Sequence, residues 1–338
     1  MAESQTQVTM DQADALFDRY TLPKIALAVI LAASLVGTWV TTTLSGTADL
    51  LFVAAKWVYL VALGVLTGGF VWKHLFVRPA DLGDEAADYC AEMYDRFDRI
   101  ATTAIAVLVV GGTAVLWEYS VVFGRTTWVL GYAALMAVWL SLVIVTTRRS
   151  AAVERQFRST VGLAVLILAL AVVVATAVAD VAMRGPDLVA TGVRILHLLS
   201  FAVWVGGAVW NIFVAVPTGQ KRPTLGVVRA AGEQLERFRW AVRFIIPTLF
   251  LTGIYQAVDG LGTNATSYLG STVGLAVLAK VGFIGLLVVI FKLCPMWRAC
   301  SPIEGVCELD DLGGGSTQEN GSIDSEPTGE PTGVTSDD

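Results

Sequence analysis

Apolar residues dominate eight long stretches, at about 23–43, 52–77, 100–119, 128–147, 159–180, 192–216, 241–258 and 270–292, with more polar segments between them. A stretch of roughly 20 apolar residues is long enough to cross a bilayer as a helix. All eight must be helical, because hydrocarbon offers nothing to a free backbone N–H or C=O. The short, alternating strands of an outer-membrane barrel would read differently. The pattern therefore predicts an all-α integral membrane protein with eight transmembrane helices. One stretch is unusual: Arg194 to Pro217, RILHLLSFAVWVGGAVWNIFVAVP, carries a histidine, a Trp-x-Gly-Gly and an asparagine that a simple anchor has no need of.

Composition agrees with the pattern. The chain is 55% hydrophobic and 15% charged, with mean hydropathy +0.66, against about 25% charged residues in soluble domains. Residues 1–22 form a polar N-terminal segment without the basic start of a secretory signal, so none is expected. Met10, Ala13, Leu16, Phe17 and Tyr20 have helical spacing there, which suits either a surface-lying helix or a disordered tail. The net charge of -6 reflects the other end. From Ser301 onward there are 10 acidic residues and no Lys or Arg, so the remainder carries 19 acidic against 23 basic residues. Residues 299–338 are too polar to bury a core and read as a disordered, solvating acidic tail.

Charge in the connections sets orientation. One set holds Arg78, Arg96 and Arg99, then Arg148, Arg149, Arg155 and Arg158, then Lys221, Arg222, Arg229, Arg237 and Arg239; the other offers Arg125, Arg184 and Arg194. The asymmetry places both termini in the cytoplasm and the protein in the cell membrane. The triplet Asn264-Ala265-Thr266 then falls outside.

The chain also aligns with itself. A shift of 138 residues lays Val65 on Val203, Gly68-Gly69 on Gly206-Gly207, Val71-Trp72 on Val209-Trp210, and Pro79 on Pro217. After a small change of length, Arg96-Phe97 meets Arg237-Phe238 and Gly112 meets Gly253. Two four-helix repeats follow, at 23–150 and 151–298. An even helix number makes them parallel, related by an axis along the membrane normal. The paired glycines would let helices 2 and 6 approach closely. The copies differ where chemistry could sit: Tyr59 against His197, Leu66 against Trp204, Lys73 against Asn211. Steps of seven put His197, Trp204 and Asn211 on one helix face, with Ser200 between the first two.

His197 followed by Trp204-Val205-Gly206-Gly207, then Arg237-Phe238, Gly253 and Lys280, resembles the copper-resistance CopD family, in detail over about 190–295 and more weakly over 20–295. The resemblance implies a polytopic protein associated with moving copper across the cytoplasmic membrane, and it makes His197 the residue most closely tied to the metal. Copper transport or copper tolerance is the expected function. Copper is then the expected ligand, and the bilayer and a soluble copper-binding protein are the expected partners.

Around His197 the topology gathers Asp180, Met183, Glu118 and Tyr59. Imidazole suits copper, Met183 could add a soft thioether, and Asp180 could orient the ring. Lys280 lies near mid-span, roughly 12 Å from either helix end, which favours an interior, paired or path-lining role. His74, beside Lys73 and before Arg78 and Pro79, reads as an interfacial cluster. Cys294, Cys300 and Cys307, with Met296 among them, form a possible cytoplasmic thiol cluster suited to Cu(I), although incidental or acylated cysteines have the same pattern.

Two other classes stay open. A haem- or quinone-associated redox subunit is one, though His197 and His74 would lie about 22 Å apart along the helix direction and could not share a haem. A non-catalytic scaffold is the other. No Walker A sequence, HExxH, Rossmann fingerprint or basic nucleic-acid face occurs, so an enzyme or a nucleic-acid partner is not expected.

Overall fold

A computed structural model describes residues 21–47, 49–77, 83–148, 156–221 and 224–293. The N-terminal segment, the acidic tail and Cys294, Cys300 and Cys307 lie outside these described residues. Eight helices carry the fold: α1 Thr21–Leu44, α2 Leu50–Val71, α3 Gly83–Phe123, α4 Thr127–Thr147, α5 Thr160–Ala182, α6 Leu188–Val209, α7 Leu225–Leu261 and α8 Thr272–Leu293. All are long and apolar enough to span a membrane, and no strand occurs among the described residues. The protein is an all-α polytopic membrane protein.

Local chemistry starts these helices where the apolar runs begin. Asp49 caps α2, its Oδ1 accepting the Leu51 and Phe52 amides at 2.6 and 3.2 Å, and Asp187 caps α6 through the Ala190 amide at 2.8 Å. Both helices then widen into a π-helical turn, Trp72–Phe76 after α2 and Trp210–Ala215 after α6. Each of these features recurs at the shift of 138. α3 and α7 extend well beyond their apolar runs. In the first turns of α3, Tyr89, Met93 and Phe97 are buried at helical spacing while Asp95 and Arg99 are exposed, so the extension is held by an amphipathic stripe that a hydropathy window does not register.

The centre of the molecule is the crossing of α2 and α6. At the crossing, a Cβ on Gly68 would lie 2.8 Å from Gly206 Cα and 3.0 Å from the Ala202 carbonyl carbon, so only glycine permits this approach. Residues matched by the repeat meet reciprocally across the crossing. Trp72 packs on Phe238 at 5.5 Å and Trp210 on Phe97 at 5.3 Å; the matched arginines also cross, Arg96 donating to the Phe213 carbonyl at 2.5 Å and Arg237 to the Phe76 carbonyl at 2.6 Å, acceptors one position apart in the repeat.

The packed bundles do not coincide with the sequence units. One core joins α2, α3, α4 and α5 and reaches Leu198 of α6, the π turn after it and the start of α7; a second joins α1, α6, α7 and α8. α1 packs on α8, α2 and α6, and α5 packs on α6, α4 and α2, so the first helix of each unit touches helices of both.

Candidate functional site

A charged layer lies inside the protein where α2, α5 and α6 meet. Asp180, near the end of α5, receives Lys56 of α2 at 2.7 Å on Oδ1 and Arg194 of α6 on Oδ2, through Nη2 at 2.6 Å and Nε at 3.1 Å. All three residues are at most 5% exposed. Tyr119 donates a longer bond of 3.3 Å to Asp180, and Arg194 Nη1 reaches the Gln256 oxygen at 3.1 Å. Lys56 and Arg194 are repeat equivalents, 138 residues apart, so one carboxylate ties the two copies together. Arg194 is therefore a structural ion-pair partner deep in the bundle, where the charge count along the chain had it as a loop cation. Lys56 escaped the sequence reading altogether; the repeat shift that matched Tyr59 with His197 would have found it.

Beside this layer the hydroxyls of Tyr59, Tyr132 and Thr176 form a closed triangle with edges of 2.5, 2.8 and 2.9 Å. All three are buried. Tyr132→Phe should leave its two partners short of a bond and lower stability by about 1–2 kcal/mol, read as a lower unfolding midpoint of the purified protein; an unchanged midpoint would show the triangle to be dispensable.

Between α1, α6, α7 and α8 lies a cavity of about 360 Å³. Its wall is mainly apolar, with His197, Trp204, Gly253, Gln256, Arg184, Arg194 and Lys280 as its notable members. His197 Nδ1 is 2.9 Å from Thr252 Oγ1, and that hydroxyl points its own hydrogen at the Thr248 carbonyl, 2.5 Å away. Thr252 has one hydrogen to give, so in the neutral ring Nδ1–H is the donor and Nε2 keeps a bare lone pair. Gly253 stands against the ring: a Cβ there would be 3.9 Å from His197 Cε1. Lys280 approaches α1 at Gly37, where a Cβ would lie 2.7 Å from Nζ.

The other expected site residues separate. Asp180 serves two cations, and no hydrogen bond joins it to His197 among the described residues. Met183 caps the end of α5 and packs on the α2–α5 core, whereas His197 belongs to the cavity of the second bundle. Glu118 accepts from Thr47 at 2.9 Å, and Tyr59 belongs to the hydroxyl triangle. Trp204 lines the cavity with His197, but Asn211 turns its amide to the Gly207 carbonyl at 2.8 Å and is buried at the π turn. Gly206 and Gly207 are packing positions, pressed on Gly68 and Phe238.

Lys73 and His74 are buried, where the sequence placed an interfacial cluster. Lys73 pairs with Asp98 at 2.9 Å and lies 4.7 Å from the centre of the Tyr94 ring; His74 stacks on Phe70. The extension of α3 covers them, which explains the difference. Among the described residues no group of three or more His, Cys, Asp and Glu side chains is placed to hold a metal ion. Compared with protein-family models, curated proteins and solved structures, the chain finds no match in any of the three.

Proposed function

We propose that the chain is a carrier rather than an enzyme, a cell-membrane protein of copper transport or tolerance with both termini in the cytoplasm. Its working site is the cavity of the second bundle. The observation that carries the reading is the His197 ring, fixed through Nδ1 by Thr252 on the wall of the cavity. A bare imidazole nitrogen held in place is a good copper ligand. The Trp204 and Gly253 positions of the CopD-like motif stand around it. One imidazole makes a transfer point rather than a storage site, so copper would bring its remaining ligands with it. Arg194 and Lys280 on the same wall oppose a bare cation, which favours copper carried with an anionic ligand.

The test is copper stoichiometry on detergent-purified protein under reducing conditions, for the intact chain and for His197→Ala. Wild type should retain copper that the variant loses. Equal retention by both, or none by either, would remove His197 from copper handling. The visible spectrum of the same sample addresses the redox alternative, because a haem subunit must show a Soret band.

A further inference from the structure

Lys280 lies eight residues into α8, within the span, and among the described residues it makes no ion pair or hydrogen bond. An ammonium at this depth is costly unless something answers its charge. The cavity it lines has three cationic side chains, Arg184, Arg194 and Lys280, and no Asp or Glu on its wall. Arg184 is answered by Asp259, and Arg194 shares Asp180 with Lys56, so Lys280 is the cation of this wall without a carboxylate partner among the described residues. Apart from the Trp204 indole, most of the remaining polar groups of the wall are already committed. The Ser34, Thr38 and Thr41 hydroxyls donate to backbone carbonyls of their own helix, Trp57 donates to Ser34, Gln256 bonds Arg194 and Thr252, and Tyr268 bonds Gly262. His197 offers only a lone pair. Lys280 is therefore the charged donor without a partner in a mainly apolar cavity, with Ile30, Ala33, Leu249, Ile284 and Leu287 among its lining.

We propose that this cavity binds a single-chain amphiphile with one negative charge, of the fatty-carboxylate class, its head on Lys280 and its chain along the apolar wall. The single ammonium of Lys280 suits one carboxylate. A volume of about 360 Å³ is at the small end of the range for ligand pockets and suits one chain rather than a two-chain lipid. Gly37 contributes by leaving the space next to the ammonium where a side chain would stand. The assignment does not rest on copper.

The experiment uses the full chain in nanodiscs of zwitterionic phosphatidylcholine, with a metal chelator present, so that its result is separate from that of the copper assay. Binding of dansyl-labelled undecanoic acid is followed by fluorescence and compared with its methyl ester. The acid should bind the wild type more tightly than the ester does. Lys280→Met should weaken the acid by roughly 10- to 100-fold, as expected for losing a charge-assisted bond, and leave the ester unchanged, while Lys280→Arg should retain most of the affinity. Equal binding of acid and ester to the wild type would overturn the proposal without reference to any variant. So would a Lys280→Met protein, eluting and melting as wild type does, with undiminished affinity for the acid. Native mass spectrometry showing a stoichiometric two-chain phospholipid that the acid cannot displace would overturn the ligand class.

Discussion

Asp180→Asn is expected to give the largest loss of stability of any single isosteric change in this protein. The carboxylate balances Lys56 and Arg194 at 2.7 and 2.6 Å, with all three side chains buried. Asparagine keeps the shape but leaves two buried cations with no anion between them. Breaking a buried pair by removing one partner costs about 3–5 kcal/mol, and here a single replacement orphans two groups. Lys56→Met is expected to cost far less, because Arg194 and Asp180 remain matched one to one. Adding Lys56→Met to Asp180→Asn should recover part of the loss, since one uncompensated charge disappears. Unfolding midpoints of the three purified variants check the ordering. An asparagine variant as stable as wild type would show that water, rather than Asp180, answers the two cations.

The second large effect is expected at the helix crossing. A Cβ on Gly206 would stand 2.6 Å from the Gly69 amide nitrogen, and one on Gly68 would stand 2.8 Å from Gly206 Cα. These neighbours are backbone atoms on the facing helix, so no side chain can turn aside to make room. Gly206→Val must push α2 and α6 apart, and with them the reciprocal Trp72–Phe238 and Trp210–Phe97 contacts. Overpacking costs about 1–3 kcal/mol where side chains can shift, and more where they cannot; here the expected outcome is failure to recover monodisperse protein. Gly282→Ala and Gly285→Ala are the controls, because a Cβ at either meets nothing within 4 Å. Normal yields for the controls with loss of Gly206→Val would locate the effect at the crossing. Wild-type behaviour of Gly206→Val would mean the helices can separate without penalty.

Much of the architecture is written in one dimension. The eight apolar runs fix the helix count because a bilayer enforces a minimum length and forbids unsatisfied backbone. The Gly68/Gly206 and Trp72/Trp210 pairs were visible in the shift of 138, and they are the residues at the crossing. Where hydropathy is the wrong measure, the reading fell short. The polar first turns of α3 pack through a stripe of Tyr89, Met93 and Phe97, and they cover Lys73 and His74, which sequence position alone set at the interface.

The candidate site was legible only in part. His197, Trp204, Gly253 and Lys280 were singled out from the chain, and all four line one cavity. Asp180 was singled out for the wrong partner. Its neighbours in space are Lys56 and Arg194, 124 and 14 residues away in sequence, and periodicity carries no information about which helix faces which.

The sequence by itself determined an all-α membrane protein of eight spans, because chain length, hydropathy and backbone hydrogen bonding leave a bilayer no other solution. Tertiary structure alone decided that α1 packs chiefly on α8 and that α5 packs on α6, α4 and α2. Specific contacts mark these packings: Asp180 of α5 between two cations, and Gly37 of α1 beside Lys280. Such contacts depend on distances of a few ångströms between residues far apart in the chain, and those distances exist only once the helices have packed.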